Sequence, residues 1–272
     1  MIIVATAAWS VPTAAAPRVG RGGSGLTRYA RVFDGTEINS SFYRAHRPET
    51  FRRWAGEVPQ HFRFAAKLPR AITHEARLAG AKAQLADFLG QVGELGPKLG
   101  PLLVQLPPSL AFDPDRTERF LIDLRHGFAG HIAWEPRHAS WFGAEAQALL
   151  RRYRVARVAA DPPLHPGGAD PGGFLGLVYV RLHGSPSVYY SSYEDVFLDD
   201  LVARLRRGAA EETWCVFDNT ASGAAFWNAL ALKDRLDPGR AVGHDEGRRQ
   251  RGRGLRPPPY VPTGVKDPNL PG

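Results

Sequence analysis

The sequence of 272 residues contains a single cysteine, Cys215. It can therefore form no internal disulfide and no cysteine-rich metal site, which is typical of proteins from a reducing compartment, so we expect a cytoplasmic protein. It also lacks any apolar run close to the roughly 20 residues that a membrane-spanning helix requires. We therefore expect no membrane partner.

A secretory signal is also not indicated. The first residues, MIIVATAAWS, have no basic residue before a short apolar run, whereas a signal peptide begins with a basic region. We expect this segment to form a first buried strand instead.

Positive charge is concentrated near the carboxyl end. The net charge is +8, and half of it follows Pro238, in the segment containing GRRQRGRGLRPPPYVPTG. Such a composition cannot bury enough apolar surface to fold alone, so we predict one domain over residues 1–237 and a flexible basic tail over residues 238–272. The tail is expected to add solubility, and contact with nucleic acid or an acidic partner is the alternative.

Eight strand-like segments are spread along the first 237 residues, and most are followed by a helical pattern. They are IIVATA, TEINS, RFAAKL, LLVQL, IAWEPRH, VARVAAD, VYVRLHG and WCVFDN. This alternation predicts an α/β fold, a TIM-like (β/α)8 barrel, in which the carboxyl ends of the strands form the rim of the active site. The segments after the first and sixth strands are too rich in glycine and proline for helix, so we expect rim loops there.

Alternation of side chains along each strand indicates which residues face the barrel lumen. The predicted lumen-facing polar set is Glu37, Asn39, Lys67, Gln105, Glu135, Arg137, Asp161, Arg181, His183 and Asn219. Three acids and three bases of this set balance each other in charge. A salt-bridge network that merely closes the barrel is one interpretation, and a functional site is the interpretation we prefer, because polar layers of such barrels gather at the catalytic end.

Two carboxylates in this set, Glu37 and Glu135, lie on strands two and five. Paired acids in different environments can divide into general acid and general base, which suits chemistry on a sugar. A divalent metal held by carboxylates and His183 is the alternative. Because Arg137 and Arg181 would compete for the same oxygens, we predict no cofactor and an anionic or sugar-like substrate.

Histidines and aromatic residues also follow the strands. His138 lies three residues after Glu135 and three before Trp141, which could bring ring and carboxylate together. Seven aromatic residues in similar positions suggest a stacking wall for a sugar ring or a base. They are Trp9, Phe42, Tyr43, Trp141, Tyr189, Tyr190 and Tyr193.

Six segments together carry a resemblance to a known family: EINSSFYR, FRFAAKLPRAITHEARL, KLGPLLVQLPPS, WEPRHASWF, VYVRLHG and FDNTASGAAFWNALAL. Residues 1–236 resemble the YecE-like family (domain of unknown function 72). The resemblance implies a TIM-like barrel without an established activity, grouped loosely with sugar isomerases. Two departures from the family pattern are an alanine, Ala8, where a glycine usually precedes Trp9, and Asp218 where the family often has asparagine.

The sequence therefore predicts an uncharacterised barrel enzyme, an isomerase or hydrolase acting on a small sugar-like or anionic substrate. The predicted catalytic residues are Glu37, Glu135, His138 and His183. The predicted substrate-binding residues are Asn39, Tyr43, Lys67, His74, Gln105, Arg137, Trp141, Asp161, Arg181 and Asn219. Two alternatives remain, a phosphodiester-cleaving or nucleic-acid-binding barrel and a non-catalytic metabolite-binding protein.

Overall fold

Nine of the ten strands overlap the eight predicted segments, the sixth of which forms two strands, and the remaining strand, Gly172–Gly173, lies in a segment predicted as loop. A computed structural model of the chain describes residues 1–238, so the predicted tail lies outside the described residues apart from Pro238. The strands are β1 (Ile2–Thr6), β2 (Gly35–Ile38), β3 (Arg63–Lys67), β4 (Leu99–Gln105), β5 (Ile132–Glu135), β6 (Val155–Arg157), β7 (Ala159–Asp161), β8 (Gly172–Gly173), β9 (Leu177–Leu182) and β10 (Glu212–Phe217).

Helices follow most of these strands, as the sequence predicts. They are α1 (Ala16–Val19), α2 (Gly25–Tyr29), α3 (Ser40–Tyr43), α4 (Pro48–Gly56), α5 (Lys82–Gly93), α6 (Pro114–Gly127), α7 (Ala144–Arg152), α8 (Asp195–Arg207) and α9 (Ala224–Leu236). The short helix α1 lies in a segment predicted as loop. Pro17 occupies its first turn, where a backbone N–H would have no partner within the helix, so proline costs no hydrogen bond there.

The parallel strands are divided between two sheets. One has the order β1-β10-β9-β7, and the other has the order β2-β3-β4-β5-β6-β8. A parallel bridge between Ala7 and Glu37 links β1 to β2, and Val158 separates β6 from β7. Residues 1–238 thus form a parallel α/β domain, but they contain no single closed sheet, so the predicted closed eight-stranded barrel is not shown.

The sixth predicted strand divides because each half pairs with a different neighbour. β6 pairs with β5, whereas β7 pairs with β9. The other edge of β6 is occupied by β8, which returns antiparallel from the loop after strand six. Gly173 makes this close approach possible: its φ is +63°, and a Cβ there would lie 2.4 Å from the carbonyl oxygen of Val155. The ladder is therefore interrupted where the loop inserts.

Two apolar layers flank the strands. The outer layer packs the strands against the helices. The inner layer consists of Ile3, Ala5, Ala7, Ala65, Leu103, Ala133, Ala156, Val158, Leu177, Tyr179, Trp214 and Val216. Because side chains alternate along a strand, the next inward positions after Ala65, Ala133, Tyr179 and Val216 are polar, and these place the candidate site at the carboxyl ends of the strands.

Two expectations from composition can be compared with the described residues. None of the helices within residues 1–238 is long and apolar enough to cross a membrane. Cys215 is fully buried, and burial raises the pKa of its thiol, so it remains a protonated core residue.

Candidate functional site

Arg181 lies at the centre of the charged residues. It is fully buried on β9 and contacts three carboxylates. Its Nε and Nη2 donate to the two oxygens of Glu37 at 3.1 and 2.8 Å, its Nη1 donates to Glu135 Oε2 at 2.7 Å, and its Nη2 donates to Asp218 Oδ2 at 3.1 Å. Burial would lower the pKa of Arg181, but the three carboxylates raise it well above its usual range. One cation therefore holds acids from three strands.

Glu37 lies below the accessible surface. It has no exposure to solvent, and besides both Arg181 contacts it accepts a hydrogen bond from Tyr179 Oη at 2.9 Å. Tyr179 in turn stacks on Trp214 with a centroid separation of 6.0 Å, so the carboxylate is held by the inner apolar layer. Glu37 thus fixes the position of the Arg181 guanidinium from the buried side of the cluster.

His183 bridges two of the carboxylates. Its Nδ1 lies 3.0 Å from Asp218 Oδ2, and its Nε2 lies 3.0 Å from Glu135 Oε1. Burial would lower the pKa of His183, but Glu135 and Asp218 outweigh it and raise the pKa. Since both ring nitrogens face carboxylate oxygens, a protonated imidazolium can donate to both.

Glu135 receives more polar contacts than the other acids. Gln105 Nε2 donates to its Oε2 at 3.0 Å, and Arg137 Nη2 lies 3.4 Å from its Oε1. Burial alone would raise the pKa of Glu135, but Arg181, His183 and Arg137 hold it well below its usual range. The carboxylate therefore remains ionised at neutral pH.

A cleft opens above Glu135, and we call it the Glu135 cleft. Three polar residues line it: Glu135, Arg137 and His183. The rest of its lining consists of Pro136, Phe142, Val158, Ala160, Pro162, Leu164, Gly168 and Val188. The cavity volume of about 60 Å³ has room for several water molecules or a small ligand. An ionised carboxylate, an imidazole and a guanidinium, those of Glu135, His183 and Arg137, therefore line the same small cavity.

Tyr189 covers one side of this arrangement. Its ring stands edge-on to His183 with a centroid separation of 6.1 Å, and its hydroxyl is hydrogen-bonded to Arg137. Its φ is +69°, in the left-handed region that a bulky residue rarely adopts. Tyr189 is one of the seven aromatic residues predicted to form a stacking wall and is not among the predicted site residues.

Lys67 and His74 form a second group at the end of β3. Lys67 Nζ lies 4.0 Å from the centroid of the Phe42 ring, and His74 contacts the same ring edge-on at 5.0 Å. Burial and Arg181 lower the pKa of Lys67 to about 8. Burial and neighbouring cations, Lys67 first among them, lower the pKa of His74 to about 4, so His74 is neutral at physiological pH.

Two residues predicted to face the lumen lie on the other face of their strands. Asp161 Oδ1 accepts from Tyr193 Oη at 2.9 Å, and Asn219 Nδ2 donates to Asn228 Oδ1 at 2.9 Å. The predicted alternation is one residue out of register with the structure in these two strands, because Ala159 and Phe217 belong to the outer layer, while Val158 and Val216 belong to the inner one. This correction moves both residues out of the charged cluster.

Asp218 belongs to the charged cluster, although it is not among the predicted site residues. Its Oδ2 lies 3.1 Å from Arg181 Nη2 and 3.0 Å from His183 Nδ1, and Arg181 and His183 lower its pKa to about 2 against the effect of burial. The available signal was its position two residues after Val216, on the inward face of β10. The cluster thus keeps three acids, but with Asp218 in place of Asp161.

Other predicted site residues lie away from the Glu135 cleft. Trp141 is buried and donates from Nε1 to the carbonyl oxygen of Leu110 at 2.8 Å, so it is a packing residue. His138 caps the short helix over residues 139–142, with its Nδ1 2.9 Å from Ser140 Oγ. Neither residue lines the Glu135 cleft.

Asn39 and Tyr43 flank the short helix α3. Asn39 is half-buried, and its Oδ1 is buried without a hydrogen bond. Tyr43 is 59% exposed and packs edge-on against Phe42. Both residues therefore lie on the Phe42 and Lys67 side of the site, and neither lines the Glu135 cleft.

No group of three or more metal-ligating side chains suited to an ion occurs within residues 1–238. The chemistry of the cluster explains this, because the oxygens of Glu135 and Asp218 already accept from Arg181 and His183. A divalent ion would have to displace these cations. The expectation that no cofactor is required remains a prediction.

Comparison with known proteins agrees with the resemblance found in the sequence. The family described as "Protein of unknown function DUF72" matches residues 3–251, which extends past the residue at which we expected the resemblance to end. UPF0759 protein YecE of Escherichia coli K12 is 33% identical over 174 residues, and the match covers 61% of this chain and 61% of the relative's length.

Solved structures share the fold. A DUF72 family protein from Enterococcus faecalis V583 superposes with a TM-score of 0.71 at 22% identity, covering 93% of this chain and 100% of that one. A DUF72 family protein from Thermotoga maritima MSB8 gives a TM-score of 0.70 at 26% identity, covering 87% and 99%. These matches confirm the predicted family and a single parallel α/β domain.

Proposed function

We propose, from the premise that this chain belongs to the DUF72 family, that the Glu135 cleft performs acid–base chemistry of isomerase or hydrolase type on a small anionic or sugar-like substrate. The observation that supports this most is the 3.0 Å contact between Glu135 and His183 in a cleft that Arg137 also lines. An acid and a base whose pKa values are displaced in opposite directions are suited to opposite roles in proton transfer.

The roles follow from the charges. His183 keeps its proton to a higher pH than an ordinary histidine, so it donates a proton to the substrate, and ionised Glu135 accepts one. Arg137 is partly exposed, with 23% of its side chain accessible, so it can bind a carboxylate or phosphate of the substrate. The apolar walls exclude water around the transferred proton.

Glu37 and Arg181 have a positioning role in this proposal. Both are completely buried and contact each other through two hydrogen bonds, so neither reaches the substrate. Arg181 instead holds Glu135 and Asp218 at fixed positions, and these orient His183. This revises the prediction that Glu37 and Glu135 exchange protons with the substrate.

The proposed frame for this site is a TIM-like barrel made of both sheets. The Ala7 to Glu37 bridge joins the sheets on one side, and the backbone N–H of Val158 donates to Trp134 O at 2.9 Å between β6 and β7 on the other. In such a barrel the carboxyl ends of strands converge on one site, which accounts for the meeting of residues from β2, β5, β9 and β10.

Deuterium exchange tests the proposal. We would incubate the protein in D2O with a panel of small phosphorylated and carboxylated sugars and record the loss of carbon-bound protons, or the appearance of products, by NMR. We expect at least one compound to react and Glu135→Gln to abolish the reaction, while Glu145→Gln, on the exposed face of α7, preserves it. Unchanged reaction in Glu135→Gln would contradict the proposed role.

Two alternatives give different results in the same experiment. A non-catalytic metabolite-binding protein would show binding of a compound without exchange or product. The nucleic-acid hypothesis depends largely on the basic segment after Pro238, which lies outside the described residues, so it remains a prediction, as does the cytoplasmic location.

A further inference from the structure

Lys67 differs from the other lysines of the described chain. Lys98 is also buried, but its Nζ donates to the carbonyl oxygens of Ala55 and Val58 at 2.6 and 2.7 Å. The other two pair with aspartates: Lys82 lies 3.5 Å from Asp123, and Lys233 contacts Asp34. Among the lysines of residues 1–238, Lys67 is the only one whose side-chain amine makes neither a hydrogen bond nor an ion pair with a described residue.

The surroundings of Lys67 leave its amine available. The residue is 4% exposed and the centroid of the Phe42 ring lies 4.0 Å from Nζ, while the carboxylates of Asp218, Glu37 and Glu135 act on the amine without forming an ion pair with it. A buried ammonium without a partner is costly, and the aromatic face offsets only part of that cost. The position at the carboxyl end of β3 places the amine on the same rim as the Glu135 cleft. A lysine retained there without a partner is suited to bind or attack a ligand.

The electrostatics favour the neutral, nucleophilic form of the amine. Burial and Arg181 lower the pKa of Lys67 to about 8, against an ordinary value near 10.5. At pH 7.5 the neutral fraction is therefore about a hundredfold or more larger than that of an ordinary lysine. His74, which contacts the same Phe42 ring, is neutral at this pH and adds no further positive charge.

We infer that Lys67 is a nucleophile that forms an imine with the carbonyl carbon of a small aldehyde or ketone. The amine nitrogen adds to the carbonyl carbon, both amine protons leave with the carbonyl oxygen as water, and a carbon–nitrogen double bond remains. This inference rests on the proposed function for the site and narrows its substrate to carbonyl compounds that also carry an anionic group.

Reductive trapping tests this inference. We would treat the full chain with glyoxylate, a small aldehyde that carries a carboxylate, in the presence of sodium cyanoborohydride, and measure by peptide mass spectrometry the rate at which each lysine becomes carboxymethylated. The chain has five lysines, which makes the assignment simple. We expect Lys67 to react at least about tenfold faster than exposed Lys82 at pH 7.5, with a rate that rises through a midpoint near pH 8.

Lys98 is the matched control, because it is buried to a similar degree but its amine is hydrogen-bonded. We expect it to remain unlabelled. Labelling of Lys67 no faster than Lys82 would overturn the inference, as would a rate that begins to rise only near pH 10. In a Lys67→Arg variant whose melting temperature shows that it is folded, the labelling rates of the other lysines should be unchanged. A rise in the labelling rate of all the other lysines in this variant would also overturn the inference.

The result of reductive trapping at Lys67 can be distinguished from the result of the deuterium-exchange test of the proposed function. Deuterium exchange that depends on Glu135 without trapping at Lys67 would refute only the imine. Trapping at Lys67 without any Glu135-dependent reaction would refute only the proposed proton transfer in the cleft.

Discussion

Replacing Arg181 by methionine should destabilise the domain strongly. Methionine has a similar length but no charge, so Arg181→Met leaves three buried carboxylates without their common cation. Removal of one partner from a buried ion pair typically costs about 3–5 kcal/mol, because the remaining charge is left uncompensated. Four hydrogen bonds from Arg181 end on these carboxylates, so we expect a loss in unfolding free energy at the upper part of this range.

The loss should depend on pH. Glu135 and Asp218 have lowered pKa values in the folded protein, so their contribution to stability is present above pH 4 to 5 and is lost as the pH falls through the folded-state values. Without Arg181, burial dominates and raises the pKa of these carboxyl groups. The difference in unfolding free energy between wild type and Arg181→Met should therefore be largest near pH 7 and should shrink toward pH 4.

Urea unfolding followed by tryptophan fluorescence measures both effects, at pH 4.5 and at pH 7. Arg235→Met is the matched control, because Arg235 also contacts two carboxylates, Asp195 at 2.6 Å and Asp199 at 2.8 Å, but these are 84% and 67% exposed. We expect a loss below about 1 kcal/mol for the control. A loss for Arg181→Met no larger than this, or one independent of pH, would refute the reasoning.

Three further predictions concern single residues and the tail. Burial would lower the pKa of His183, but Glu135 and Asp218 raise it, so nitrogen NMR should show that the ring keeps its proton to a higher pH than an ordinary histidine. The stabilising contribution of His183, complete below about pH 6.5, should decline as the pH rises through the folded-state pKa. Ala8 has a φ of +89°, so Ala8→Gly should raise the unfolding free energy by about 0.5–1 kcal/mol, whereas Ala148→Gly within α7 should lower it by a similar amount. Nucleic-acid binding, if it occurs, should weaken steeply between about 50 and 200 mM salt and should be lost in a chain ending at Pro238; an affinity independent of salt would contradict the nucleic-acid hypothesis.

Much of the fold could be predicted because the spacing of apolar residues and the positions of turn-forming residues are local signals in the sequence. The apolar runs of the eight strand-like segments, and the glycines and prolines of the loops after the first and sixth, lie within a few residues of the elements they define. The division of strand six was not predictable in this way, because it depends on Gly173 returning to the edge of β6. The Ala8 departure from the family pattern does have a local meaning, since the backbone there adopts a conformation that glycine favours.

The site could be predicted in part. Alternation placed Arg181 and His183 inward because the adjacent Val180 and Leu182 are clearly apolar. It misplaced Asn219 relative to Asp218, because Val216 and Phe217 are both apolar and either could face inward. The pairing of Arg181 with Glu37, 144 residues away in sequence, follows from strand order and could not be derived from spacing.

Substrate-dependent change at His183 tests the central claim most directly. The measurement is the imidazole nitrogen NMR spectrum of His183 during titration with a compound that undergoes exchange in the D2O experiment. The proposed chemistry predicts that these resonances shift on binding, that Arg137→Gln weakens the titration, and that Glu135→Gln retains the shift but loses exchange. Unmoved His183 resonances during turnover of that compound would contradict the claim that the Glu135 cleft is the site of reaction.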